Sequence, residues 1–381
     1  MRHTIAHAFF SLLPVMGACT TDDPQDDDVG SSTGADSSGS TTADTTTTAT
    51  TTTSTDGTGS TDGGSTDGAS SDGGSDSGST GGGAPLELEP VVVFDPAAFE
   101  LPEGLAIDGG DALVGFAFTG AIERITLADG ARSVVATTPP PPPNTSFVTG
   151  ITTDGDGQIY AAVVSFTAEL AAGIYRAPVE GGDAVLWASD PAMVFPNGFA
   201  WSAADTLLVT DSVYGGVFEI DADGLATPWL QLASLEGDAS NCSGTSDIAV
   251  GANGIARDGD VLWVVGGDQG VVVRVPIEPD GSAGLPETVA GPDCELAGLD
   301  GIVLDDDGSV IAAVNRSNRI VRVTADGDVA VLAEGPPLDF PASVAITDDG
   351  GERALVVTGF ALGEFLAGGA PAPALLRAAL P

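Results

Sequence analysis

A short phrase recurs six times along the chain, and its period limits the possible folds more than any other feature. The copies are EGLAIDGGDALVGF from Glu103, TGITTDGDGQIYAAV from Thr149, NGFAWSAADTLLVT from Asn197, NGIARDGDVLWVV from Asn253, DGIVLDDDGSVIAAV from Asp300 and SVAITDDGGERALVV from Ser343. Successive copies start 46, 48, 56, 47 and 43 residues apart. Each reads as a polar residue, a short apolar strand, an Asp/Gly turn and a second apolar strand. A repeat of this length built from strands predicts an all-β, six-bladed β-propeller with four-stranded blades. Blade three shows the pattern in GFAWS, TLLVTDS, GVFEID and ATPWLQL. Blade six offers only VAITD, RALVVTG and ALLRAAL. The run LELEPVVVF at 87–95, upstream of the first repeat, supplies the missing strand and would close the ring, removing its open edges.

The chain divides into three parts. Residues 1–18 hold Arg2 and the apolar run AFFSLLPVM, too short to span a bilayer and typical of an export signal. The string MGAC resembles the lipobox of bacterial lipoproteins, which implies lipidation at Cys19 and a mature chain beginning there. An ordinary cleavable signal with an incidental Cys is the alternative. Thr20 after the Cys, where Asp would favour inner-membrane retention, points to the outer membrane or the cell surface.

Residues 19–84 are Thr, Ser, Gly and Asp almost throughout, with twelve Asp and no basic residue between 20 and 84. Such a segment buries too little apolar surface to offset its conformational entropy and is expected to be a disordered tether. Residues 85–381 make up the propeller, large enough for one continuous ring.

Net charge is −44, and all eleven basic residues are Arg. No row of cations is available to neutralise phosphates, so nucleic acid is not an expected partner. Contact with a membrane is expected only through the lipid anchor. Cys242 and Cys294 precede the fourth and fifth repeats, in loops on the same face of neighbouring blades. In an exported protein they are expected to form a disulfide.

The residues that open the six inner strands are Glu103, Thr149, Asn197, Asn253, Asp300 and Ser343. Superposed repeats would bring all six to the mouth of the central channel. Two carboxylates and two amide oxygens there form a hard, all-oxygen set suited to Ca2+, with magnesium or manganese next and zinc poorly served. Both His lie in the signal, so no softer ligand is at hand. The competing explanation is that Asn-Gly and Asp-Gly are ordinary turn pairs. Glu103, which is not a turn former, and the fixed repeat position favour a divalent cation.

The order Glu, Asn, Asn, Asp in blades one, three, four and five resembles the regucalcin/gluconolactonase (SMP-30/gluconolactonase/LRE-like) family of propellers. The strings PEGLAID at 102–108, PNGFAWS at 196–202 and LDGIVLD at 299–305 carry the resemblance, with LLVTDSVYGGVFEIDADG at 207–224. It implies a divalent cation held by Glu103, Asn197, Asn253 and Asp300, hydrolysis of a small lactone or ester, and Asp300 as general base. The sugar lactonases of the family usually carry an Arg two residues before the blade-three Asn, where this chain has Phe195. Phe195 and Phe199 are candidates for a more apolar substrate pocket. Two functions stay open: a tethered, calcium-dependent hydrolase of a lactone or ester, and a non-catalytic propeller that binds a ligand or partner around a structural metal.

Overall fold

The structure is a computed structural model, and it describes residues 85–202, 206–243, 248–349 and 352–380. The export signal, Cys19 and the tether expected over 19–84 lie outside the described residues. Within them the chain forms a six-bladed β-propeller of antiparallel sheets. Five sheets have four strands. The sheet of blade one gains a fifth, the two-residue strand Gly182–Asp183 lent by blade two, which runs parallel to Arg132–Thr137.

Burial grades outward across each blade, and the sequence follows it. Second strands such as Leu207–Asp211 and Val310–Val314 are buried along their whole length. They are nearly continuous apolar runs because a neighbouring blade covers each of their faces. Outermost strands such as Arg132–Thr137 are largely exposed and carry polar residues. In blades one and four a two-residue turn, beginning at Gly109 and Gly259, joins the first and second strands; Gly259 has φ +54°, which glycine adopts without strain.

The apolar core is divided among the interfaces between blades. Phe218, Tyr160 and Ile174 pack blade two on blade three, and Trp263, Ile302 and Val321 pack blade four on blade five. Phe94, Leu105, Val356 and Leu375 pack blade six on blade one. Each interface buries apolar area from two sheets at once, and that burial is the main stabilising term.

The expected closure is present. The strand Glu89–Val93 pairs antiparallel with Ala374–Ala379, in the register Glu89 with Arg377 and Val93 with Ala374. It completes the sheet of Pro341–Asp349, Glu352–Gly359 and Ala374–Ala379. Cys242 and Cys294 are disulfide-bonded as expected, their Cα atoms 5.1 Å apart. One element has no counterpart in the sequence reading: the helix Leu362–Ala367, which fills the loop between the last two strands of blade six. At six residues it is too short to display a helical period. No helix among the described residues is long and apolar enough to cross a membrane.

Candidate metal centre and apolar cavity

All six inner strands break their ladder at the same place. The pairing shifts between Pro102 and Gly104, Val148 and Ile151, Pro196 and Phe199, Ala252 and Ile255, Leu299 and Ile302, and Pro341 and Val344. Glu103, Thr149, Asn197, Asn253, Asp300 and Ser343 each fall inside one of these breaks. A bulge bends its strand and re-aims a side chain that regular pairing would leave facing a neighbour.

The glycine that follows five of them has a steric cause. A Cβ on Gly104 would lie 2.5 Å from the carbonyl oxygen of Thr149. On Gly150 it would lie 2.3 Å from that of Asn197, on Gly198 2.9 Å from that of Asn253, and on Gly254 2.1 Å from that of Asp300. On Gly301 it would meet Ser343 Cα at 2.7 Å. Each glycine thus admits the backbone of the next blade's cage residue, and the series runs round the axis. These glycines lie within strands, so the turn-pair explanation does not apply to them. Hydroxyls complete the ring: Thr149 Oγ1 donates to the Pro196 carbonyl at 2.7 Å and Ser212 Oγ to that of Ala252 at 2.8 Å. Across the closing seam, Thr358 Oγ1 donates to the Glu103 carbonyl at 2.9 Å.

Glu103, Asn197, Asn253 and Asp300 are all buried, and all line one cavity of about 820 Å³. Thr149 lines it too, with its hydroxyl turned to the neighbouring backbone. Ser343 stands off the wall. Burial raises the Glu103 carboxyl well above the usual carboxylate range, and the Asp300 charge adds to it. Burial also lifts Asp300 to about 7, against hydrogen bonds from the Asn315 and Asn253 side chains and the Gly301 N–H. Asn315 Nδ2 donates to Asp300 Oδ2 at 3.0 Å. Glu103 Oε2, Asn253 Oδ1 and Asn315 Oδ1 are buried without a hydrogen-bond partner. Two desolvated carboxyls and the partnerless oxygens of Glu103 and Asn253, all on residues lining one cavity, fit a hard divalent cation, which would neutralise the first and satisfy the second.

Above this floor the walls are apolar, with Phe118, Phe147, Phe195, Ile248, Phe340 and Phe360 among them. Phe195 meets Phe147 edge to face at 5.3 Å. Phe199 packs elsewhere, opposite Val209 in the sheet and against the apolar layer of Tyr160 and Phe218 between blades two and three.

The sequence reading missed Asn315 and Arg316, which also line the cavity. A signal for them exists. Asp211, Asp268 and Asn315 occupy one repeat position at the end of the second strand, 14, 15 and 15 residues after Asn197, Asn253 and Asp300. Asp211 is wholly buried and accepts the backbone N–H groups of Val194 and Phe195, each at 2.8 Å, so it fixes the segment entering Asn197. Asp268 accepts the Val250 N–H at 2.7 Å and acts alike for blade four.

Residues 230–360, which hold Asn253 and Asp300, match the family model described as "SMP-30/Gluconolactonase/LRE-like region". The resemblance carried by LDGIVLD is borne out over that stretch. No curated protein matches the chain by sequence. Among solved structures, a calcium-binding protein, regucalcin, from Agrobacterium tumefaciens is 18% identical, with a TM-score of 0.53 over 72% of this chain and 86% of that one. A gluconolactonase from Xanthomonas campestris is 16% identical, with a TM-score of 0.52 over 78% and 96%. The allergen Mala s 1 of Malassezia sympodialis is 15% identical, with a TM-score of 0.56 over 76% and 95%. At these identities the likeness is one of fold.

Proposed function

We propose that the propeller is a calcium-dependent hydrolase of a small lactone or ester. The observation that carries this reading is the placement of four buried oxygen-bearing side chains at one bulge position, on the floor of a cavity large enough for a small molecule. Glu103, Asn197, Asn253 and Asp300 would hold the ion. When bound, it would act as a Lewis acid on the scissile carbonyl. Asn315 Nδ2 donates to one oxygen of Asp300, which orients the carboxylate at the floor of the cavity. From there Asp300 would take the proton of the attacking water. The apolar walls around Phe147 and Phe195 would seat the body of the substrate and keep bulk water from the reacting carbonyl.

The test is calcium calorimetry on the full-length protein beside Asp300→Ala and Glu103→Ala, followed by assays on a panel of lactones and aryl esters. One-site binding lost in both variants, with turnover that requires calcium, is the expected result. Calcium binding without turnover of any panel member would leave a ligand-binding propeller with a structural ion. Phe195 favours that second reading, because it stands where the sugar lactonases carry a polar residue. Export and lipidation at Cys19, with anchoring at the outer membrane or cell surface, complete the proposal. Palmitate labelling that persists in Cys19→Ser would remove the anchor.

A further inference from the structure

We propose that Arg316 is the binding group for a carboxylate carried by an otherwise apolar ligand. Among the described residues lining the cavity it is the single basic side chain, against the acids Glu103, Asp300, Asp339 and Glu364. It does not sit there loosely. Its Nη2 pairs with Asp268 Oδ1, and the Asp268 side chain is wholly buried. The other Asp268 oxygen is anchored by the Val250 N–H. Behind it, Gly298 has φ +95°, and a Cβ there would meet the backbone N and Cγ of Arg316 at 2.9 Å each. The glycine lets the Arg316 segment lie close against blade five's entry loop.

With Nη2 committed to Asp268, Nη1 remains, and it is buried with no hydrogen-bond partner. A buried donor on a cation that lacks an acceptor is costly, so a site that keeps one is suited to a ligand that supplies an acceptor. A carboxylate matches a guanidinium edge better than any neutral group. Asp339 and Glu364 border the same cavity and would repel a ligand carrying more than one negative charge. Asp339 is occupied in part by the Ala372 N–H. The apolar part of the wall, Phe118, Phe147, Phe195, Ile248, Phe340 and Phe360, suits an aryl or alkyl body. The ligand class is an aryl- or alkyl-carboxylate. Under the proposed hydrolase function, on which this extension rests, the substrate is an apolar ester or lactone bearing a free carboxylate.

The test compares 4-phenylbutyrate with the matched alcohol 4-phenylbutanol, by calorimetry on the full-length protein with calcium and again with a chelator. The chelator arm removes direct binding of the carboxylate to a cage ion. Wild type is expected to prefer the acid roughly ten- to hundredfold in both arms, the scale of a hydrogen bond to a charged group. In Arg316→Gln the acid-to-alcohol ratio should fall to near one. Arg316→Gln/Asp268→Asn, which leaves no unpaired buried carboxylate, should show the same fall if the single variant folds poorly. A wild type without preference, or a ratio unchanged in the variants, overturns the assignment. Turnover of esters with a ratio indifferent to Arg316 would remove this inference and leave the hydrolase standing. An Arg316-dependent ratio with no turnover would do the reverse.

Discussion

A side-chain carbon on Gly254 would lie 2.1 Å from the carbonyl oxygen of Asp300, well inside contact distance. The blade-four backbone and the blade-five cage residue therefore touch directly. Gly254→Ala must push Asp300 off the axis or open the interface between blades, at about 1–3 kcal/mol by the usual cost of overpacking. The expected outcome is a lower melting temperature and loss of calcium binding. Gly198→Ala, whose contact is 2.9 Å, should do less on both counts. Equal effects from the two would detach the glycines from the cage.

Glu103 and Asp300 oppose each other in a buried space, and both carboxyls are raised by burial before any other cause. Removing one charge should relieve the metal-free protein while removing the reason for calcium to bind. Glu103→Gln is expected to melt a few degrees above wild type in a chelator. Wild type should gain about 2.7 kcal/mol at calcium a hundredfold above its dissociation constant, and the variant almost none. Thermal melts with and without calcium read both effects.

Asp211 gives a pH dependence away from the cage. Burial lifts its carboxyl to about 6, while the N–H groups of Tyr214, Phe195, Val194 and Val213 pull it down. Between the unfolded value and the folded one, the folded state holds more of the proton. Its contribution to stability is therefore complete below about pH 4 and is lost as the pH rises through the folded value. Wild type should melt higher at pH 5 than at pH 7.5. In Asp211→Asn that part of the slope should vanish, over a general loss of about 1–3 kcal/mol from backbone donors left without an acceptor. A slope identical in the variant would assign it to other carboxyls.

The Cys242–Cys294 bond closes a loop 52 residues apart in sequence, between the entries to blades four and five. On the chain-entropy account it contributes about 4 kcal/mol. Cys242→Ser/Cys294→Ser should unfold at correspondingly lower denaturant, with an unchanged dependence on denaturant concentration. Because Cys242 lines the cavity, the same variant should also weaken ligand binding.

The repeat made much of this legible. Its period set the blade count, its short sixth copy exposed the need for a strand at 87–95, and its first position marked the four buried oxygens. Phe199 shows where such reading stops. In a regular strand Asn197 and Phe199 would share a face, but the ladder breaks between Pro196 and Phe199, and Phe199 lies in the layer between blades. A bulge leaves no trace in alternation over so short a strand. Arg316 was hidden for another reason: nothing in a sequence pairs it with Asp268, 48 residues earlier, and that pair is what fixes its place. The helix Leu362–Ala367 has too few residues to show a period at all.

Blades one to five are each built from one continuous stretch of chain, apart from the strand lent at Gly182–Asp183. Blade six is not, since its outermost strand, Glu89–Val93, is the first strand described and its partner, Ala374–Ala379, is the last. On a chain made or exported from its N-terminus, the first strand to emerge is the last to find its partner. Five blades can form in order from local contacts, while Glu89–Val93 waits unpaired until almost the whole length has arrived. Until then the apolar faces of blades one and six lie uncovered. A chain cut short anywhere before Ala374 would leave an open ring with two sticky ends, so the same pairing that seals the finished molecule also marks a truncated one for aggregation or proteolysis.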